Sequence, residues 1–492
     1  MIDGSIVKYN KKIAMGVLLG LHDMEKMAAS VEGQLRREGE TELADLTRRL
    51  EVVFEDIYLT IYREKGREEN QERTMKKYGK NIWSCLEKNT DIIIPQHNIK
   101  DKDLVGNKGS QLVEMFNAGI RIPETFILST QLCEKWHKDQ DISDEELKFV
   151  RRLFYGFDSD MIAVRSSGTV SMAGAMKSVL NVNKTNPEEL KKAFLEVINS
   201  WDAPQVKRYR ELSGLSLQFG VAIVVQPMID ATKGLSGIGF TQDVITGDNV
   251  INGEFLLNEF GEDLASGSKT PKAFYGSAES LPQNVYDTLL GYKAILHKIF
   301  ETVVDFEFVY DGTETYLVQA RKAKLSDKAN IVAHYNLFEQ KIISRADIGK
   351  YINERTVGKF FSYTAPKGAQ LLATGRPVSS GIAHGLVITD FKDLDTNNCI
   401  LVKKTISVEE FILLDSKKFG ALVLKEGGYT SHPSVVCREF KKPCILGVDL
   451  ASLVPSNSIV TINGEAGEIY KGLVEFAKEN TLLKYLDKIN EA

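Results

Sequence analysis

The chain has 492 residues, of which 43% are hydrophobic and 26% charged, and a formal net charge of −5. That suits a globular α/β protein of about three domains, at ~150 residues each, and excludes a basic nucleic-acid binder. No stretch is long and apolar enough to span a membrane. Five cysteines (Cys85, Cys133, Cys399, Cys437 and Cys444) form no CxxC pair or other metal spacing. They read as reduced thiols, and a cytoplasmic protein is expected.

Residues 1–95 read as a helical N-terminal segment. The short apolar run 13–21 follows Lys11-Lys12 but leads to no cleavage motif, so it reads as the first turns of a helix. Leu43, Leu46, Leu50, Val53, Phe54 and Ile57 recur at spacings of three and four, and a second helical stretch covers about 70–86. These amphipathic faces suit packing on the chain's own body or docking of a partner subunit.

From about residue 96 helices and strands alternate. Gly106 and Gly109 flank Lys108 ahead of a helix and a Pro-marked strand. Lys108 is then a solvated lysine at a helix cap or a cation for phosphates. The apolar run 161–164 leads to Arg165 and a small-residue loop with Gly168 and Gly174. Such a loop lets backbone N–H groups approach phosphate, and Arg offers a fixed fork of donors. A plain surface turn is the alternative.

Residues 303–321 form two alternating strands around Asp311-Gly312-Thr313. Asp305 and Glu307 share one face of the first strand; Gln319 and Arg321 share one face of the second. A hairpin centred on Thr313 sets Glu307 opposite Gln319 and Asp305 opposite Arg321. A two-residue turn at Asp311-Gly312 would separate those faces. Hard oxygen ligands of this kind suit Mg²⁺ bridging nucleotide phosphates; cross-strand polar pairs without a ligand are the other reading.

Residues 326–370 read as a helical connector, with helices over 326–340 and 344–351. From Leu371 the period switches to short strands and glycines. A strand and a helix are expected over 400–403 and 405–414, a closing hairpin over 459–470, and a C-terminal helix over 481–489. The apolar run 421–424 is a buried strand broken by Gly427-Gly428. Thr430 and Ser431 offer capping oxygens, and Pro433 fits a first helical turn. His432 therefore sits at a helix N-terminus, which favours an anion. Its imidazole can attack a phosphoryl group, or it is a satisfied turn histidine. His384 reads as structural or surface.

Gly427-Gly428-Tyr429-Thr430-Ser431-His432, followed by Val435-Val436-Cys437-Arg438 and by 442–447, resembles the phosphohistidine domain of pyruvate phosphate dikinase and phosphoenolpyruvate synthase. The departure is Pro433-Ser434, where the family usually has two small residues. The segments around Lys108, Arg165, 221–228, 237–243, 253–271 and 303–321 resemble, in order, the family's ATP-grasp domain. Lys177 and Gln242 depart from it, standing where an acidic residue and an Arg are frequent.

The resemblance, over about residues 100–475, implies an ATP-grasp nucleotide-binding domain (96–325), a helical connector (326–370), a swivelling β/α phosphohistidine domain (371–475) and a helical tail (476–492). It implies ATP and Mg²⁺ as ligands. Lys108, Arg165, Gly168, Gly174 and Arg321 would serve the phosphates, and Glu307 and Gln319, with Asp305 near, the metal. Glu262 would touch the ribose or phosphate region, or else cap a helix. His432 would take the β-phosphate, releasing AMP.

The family's pyruvate site lies on a (β/α)₈ barrel of about 250 residues, whereas 17 residues follow Glu475. The expectation is that the acceptor binds outside the two recognised domains, on a partner subunit as in phenylphosphate synthase-like systems. A rifampin-type antibiotic phosphotransferase and a non-catalytic phosphocarrier or regulatory module are the alternatives.

Overall fold

The computed structural model describes residues 91–95, 98–154, 157–170, 176–204, 206–207, 210, 219–259, 271–274, 281–358, 361–390, 399–406, 419–429 and 431–491. The N-terminal helices expected over 1–90, Gly174, Glu262, Thr430 and most of the expected helix 405–414 lie outside the described residues. The fold is mixed α/β. No helix among the described residues is long and apolar enough to cross a membrane.

A first antiparallel sheet has the order β1-β2-β5-β3-β4. Its strands are β1 (Ile92–Ile93), β2 (Phe126–Leu128), β3 (Met161–Gly168), β4 (Ser178–Asn183) and β5 (Val221–Pro227). Ile162 and Val164 of β3 point into a core with Phe126, Trp136 and Phe194. The strand's two-residue period therefore turns Arg165 and Ser167 to the opposite face.

Helix α1 (Lys102–Asn117) packs on that second face. It breaks at Gly106, whose backbone is at φ +67, ψ 175. The sequence suggests a loop there, but the structure has a helix that stops and restarts. Only glycine fits: a Cβ on Gly106 would lie 2.0 Å from the Ser167 carbonyl oxygen. Ser167 Oγ fills the gap, donating to the Val105 carbonyl (2.8 Å) and accepting from Gly109 N–H (3.0 Å). Asn107 Nδ2 donates to the carbonyls of Gly168 (3.1 Å) and Thr169 (2.7 Å). The restart presents a fresh helix N-terminus to the end of β3, with Lys108 in its first turn.

A second antiparallel sheet, order β10-β9-β6-β7-β8, holds β6 (Leu235–Phe240), β7 (Asn252–Leu257), β8 (Lys272–Ala273), β9 (Val304–Tyr310) and β10 (Thr315–Lys322). Val304, Phe306 and Phe308 join one core with Leu112 and Phe116 of α1 and Val224 of β5. Asp305 and Glu307 are thereby forced to the other face.

The β9–β10 register is the one that opposes Glu307 to Gln319 and Asp305 to Arg321. It is reached indirectly. Near the turn Tyr310 pairs with Thr315 and Phe308 with Leu317; the register then shifts between Leu317 and Gln319. This bulge at Val318 inserts one residue, without which Glu307 would oppose Val318. Asp311 closes the turn, its Oδ1 accepting from Thr313 N–H (2.8 Å) and Glu314 N–H (2.7 Å).

The connector holds α6 (Asp327–Glu339), α7 (Arg345–Ile348) and α8 (Glu354–Val357), and ends in a strand, β11 (Ser362–Thr364). An eight-stranded sheet follows, in the order β12-β19-β18-β14-β15-β16-β17-β13. Its strands are β12 (Leu371–Thr374), β13 (Arg376–Ser379), β14 (Ile382–Ile388), β15 (Cys399–Lys403), β16 (Ala421–Leu424), β17 (Cys444–Leu446), β18 (Ile459–Asn463) and β19 (Glu468–Lys471). The run β14-β15-β16-β17 is parallel, which fits its near-continuous apolar sequence. His384 is exposed on β14.

The tail is not wholly helical. Strand β20 (Ala477–Glu479) pairs with β11, and helix α9 (Leu483–Glu491) carries Ile489 into a cluster with Ile331, Leu337 and Ile348. Three-residue polar strands whose partner is more than a hundred residues away carry no local period. The eight-stranded sheet is therefore threaded between two strands that pair with each other.

Gly106→Ala forces a left-handed backbone and a clash with Ser167. A loss of about 2–4 kcal/mol is expected, read as a lower melting temperature together with weaker phosphate binding.

Candidate functional site

The two antiparallel sheets bring Lys108, Arg165, Asp305, Glu307 and Arg321 into one cluster. Arg321 Nε and Nη2 both lie 2.8 Å from Asp305 Oδ2. Arg165 Nη1 lies 3.3 Å from Glu307 Oε2, joining the first sheet to the second. Asp305 is buried; Glu307, Gln319 and Arg321 are half-buried. Lys108 forms no hydrogen bond or ion pair with a described residue. Burial, then the Arg165 guanidinium, then that of Arg321 lower its pKa to about 8, with Glu307 opposing.

Three cations thus face two carboxylates, and the surplus positive charge suits a polyanion. Asp305, Glu307 and Gln319 present only oxygen donors on one face of a hairpin. Mg²⁺ keeps several waters and takes one or two carboxylates plus phosphate oxygens, so this donor set fits it. Gly168 closes β3 beside Asn107. Lys177, at the far side of the loop after β3, pairs with Glu196.

The histidine-bearing loop packs against the same second sheet. Helix α10 (His432–Glu439) begins at His432, with Pro433 in its first turn. Ser431 holds the N-cap position but does not cap. Its hydroxyl instead meets Ser434 Oγ (3.1 Å), and Ser434 Oγ donates to the Gly428 carbonyl (2.8 Å). The loop is thus braced by Ser434, one of the two positions that depart from the dikinase pattern.

Glu254 of β7 makes the contact between the two bodies. Its carboxylate accepts from the Tyr429 backbone N–H (2.9 Å) and pairs with Arg376 of β13. A side chain at position 428 would meet Glu254 Oε2 at 2.8 Å, so Gly428 permits the approach. Arg376 lies 4.6 Å over the Tyr429 ring, and Phe240 of β6 meets that ring edge-on at 5.7 Å. Glu254, Arg376, Asn107 and Ser167 were missed from sequence. A charged residue in the buried strand run after Gly253 was the one available signal.

Three cations and an oxygen-rich hairpin thus lie at the two sheets, and the loop before His432 packs against the second of them. Residues 147–294 match the family model for the pyruvate phosphate dikinase AMP/ATP-binding domain. Residues 395–467 match that for the PEP-utilising enzyme mobile domain. Pyruvate, phosphate dikinase of Rickettsia felis is 25% identical over 523 aligned positions, covering 80% of this chain and 59% of that protein. Pyruvate, phosphate dikinase 2 of Oryza sativa is 24% identical, covering 75% and 55%.

Two segments of the chain thus match the pyruvate phosphate dikinase and PEP-utilising enzyme family, and the chain spans about three-fifths of the length of the curated relatives it matches. Among solved structures, Thermococcus kodakaraensis aconitase X (holo-form) aligns over 21% of this chain and 98% of that one at 21% identity. Its TM-score of 0.17 is too low to speak for a shared fold.

Lys108 carries its charge below about pH 8 and loses it above. Binding of a non-hydrolysable ATP analogue should weaken as pH rises from 7 to 9. Lys108→Met should bind about tenfold more weakly at pH 7, with a flatter pH profile. Titration calorimetry checks both.

Proposed function

We propose that this chain is an ATP-dependent, dikinase-type phosphotransferase. It phosphorylates His432 from the β-phosphate of ATP and passes the phosphoryl group to an acceptor held outside the two recognised domains, on a partner subunit. One observation carries the reading. The loop that leads into His432 docks, through Tyr429, on the sheet that carries Asp305, Glu307, Gln319 and Arg321.

The two five-stranded sheets are read as the halves of an ATP-grasp domain, with ATP between them. Lys108, Arg165 and Arg321 hold the phosphates, and the Gly168 and Gly174 loop covers them. Glu262 lies towards the ribose or phosphate region. Glu307 and Gln319, with Asp305 beside them, would hold Mg²⁺, which supplies neutralisation of phosphate charge. In such transfers positioning and electrostatics carry most of the catalysis.

A neutral His432 nitrogen attacks the β-phosphorus. An N–P bond forms, the bond from the β-phosphorus to the α,β-bridging oxygen breaks, and AMP leaves with the electron pair. The product phosphoryl group lies at a helix N-terminus, where backbone N–H groups favour an anion. The γ-phosphate then goes to water or to inorganic phosphate, yielding phosphate or pyrophosphate.

The test uses ATP labelled at the β or at the γ position. Acid-labile label from the β position should appear on the wild type with release of AMP, and be absent from His432→Ala. Glu307→Gln and Arg321→Met should slow labelling by about 10²–10³-fold. Label arriving only from the γ position would sink the dikinase mechanism. Tight nucleotide binding with no AMP release, whatever acceptor is supplied, would favour a regulatory module.

A further inference from the structure

Arg438 lies on α10, six residues beyond His432, and is buried. Its Nη1 donates to the carbonyls of Tyr429 (3.2 Å) and, at 3.4 Å, Val378. Its guanidinium lies 5.2 Å from the Tyr429 ring centre and 5.6 Å from that of Phe240. Phe240 belongs to the nucleotide-side sheet and is the cross-strand partner of Asp305. Directly opposed residues share a face, so Arg438 stands over the face of the sheet that carries Asp305. Burial weakens its hold on its proton, and the neighbouring Asp305 carboxylate opposes that loss.

We infer that Arg438 is a positioning residue that couples docking of the histidine domain to nucleotide binding. The inference rests on the nucleotide-binding reading above. When the domain docks, Arg438 holds the loop before His432 by its Tyr429 carbonyl and brings one more positive charge to the Asp305 cluster. Extra positive charge there favours a triphosphate. By reciprocity, a bound triphosphate favours the docked state to the same degree. Undocked, the guanidinium loses the Phe240 ring and Asp305 together.

Hydrogen exchange at the Tyr429 amide reports docking, because that N–H donates to Glu254 across the interface. In nucleotide-free protein, Arg438→Met and Phe240→Leu should both speed this exchange, with Arg438→Lys between them and the wild type. A non-hydrolysable ATP analogue with Mg²⁺ should slow it in the wild type. Affinity for the analogue should fall about fivefold in Arg438→Met and Phe240→Leu, and less in Arg438→Lys.

Phe240→Leu leaves the histidine domain untouched and decides the matter if Arg438→Met does not fold. Wild-type exchange at Tyr429 in the nucleotide-free variants overturns the inference. So does unchanged affinity for the analogue. A wild type that binds no nucleotide, with exchange still faster in the variants, overturns the functional reading and the coupling but leaves Arg438 as a docking contact.

Discussion

The organising constraint is the charge balance between the two antiparallel sheets. Lys108, Arg165 and Arg321 converge on Asp305 and Glu307 in a setting that is at most half open to water. Gathering cations in a buried setting has a cost, and the pKa of Lys108, lowered first by burial and then by the Arg165 guanidinium, is the sign of it. An anion relieves it. The same balance explains why the backbone around it is so constrained. Lys108 reaches the cluster because α1 breaks at Gly106, and the break exists because Ser167 fills it. Arg165 reaches it because the apolar alternation of β3 leaves no other face.

The hairpin shows how far the sequence could be read. The alternation of Val304, Phe306 and Phe308 with Asp305 and Glu307 is a local pattern, and it announces which face is polar. Pairing is not local. The turn at Asp311 starts a register that would have opposed Glu307 to Val318, and the bulge corrects it by one residue. Nothing in the letters around Val318 signals an inserted residue. The hairpin centred on Thr313 gave the right pairs by compensation: the turn lies half a residue off, and the bulge restores the difference. The Gly106 break was similarly half-legible. Two glycines around a lysine suggest a phosphate loop, but that a helix restarts there depends on Ser167, 61 residues later in the chain.

The contact between the two bodies was the least legible part, for a general reason. A carboxylate in a buried strand makes sense only with its partners, and those of Glu254 are 122 and 175 residues away. The motif around His432 could be read locally; what the loop rests on could not. The interface also carries a built-in penalty. Tyr429 Oη and Arg438 Nε are buried without a hydrogen-bond partner among the described residues. Each such group costs about 1–3 kcal/mol when it is taken from water. That cost works against what Glu254, Arg376 and the aromatic contacts contribute.

The chain connections set how the eight-stranded sheet joins the rest of the fold. The eight-stranded sheet is entered after β11 and left before β20, and these two strands pair with each other. The two crossings therefore run from Thr364 to Leu371 on one side and from Lys471 to Ala477 on the other. Each crossing contains a left-handed glycine with open space around it: Gly368 at φ +93 and Gly472 at φ +75. Phe476 lies edge-on to Tyr363 of β11 (6.4 Å) and to Tyr470 of β19 (5.6 Å). Both crossings start and end beside one strand pair, so the short polar strands β11 and β20, which carry no local period, fix where the eight-stranded sheet joins the rest of the chain.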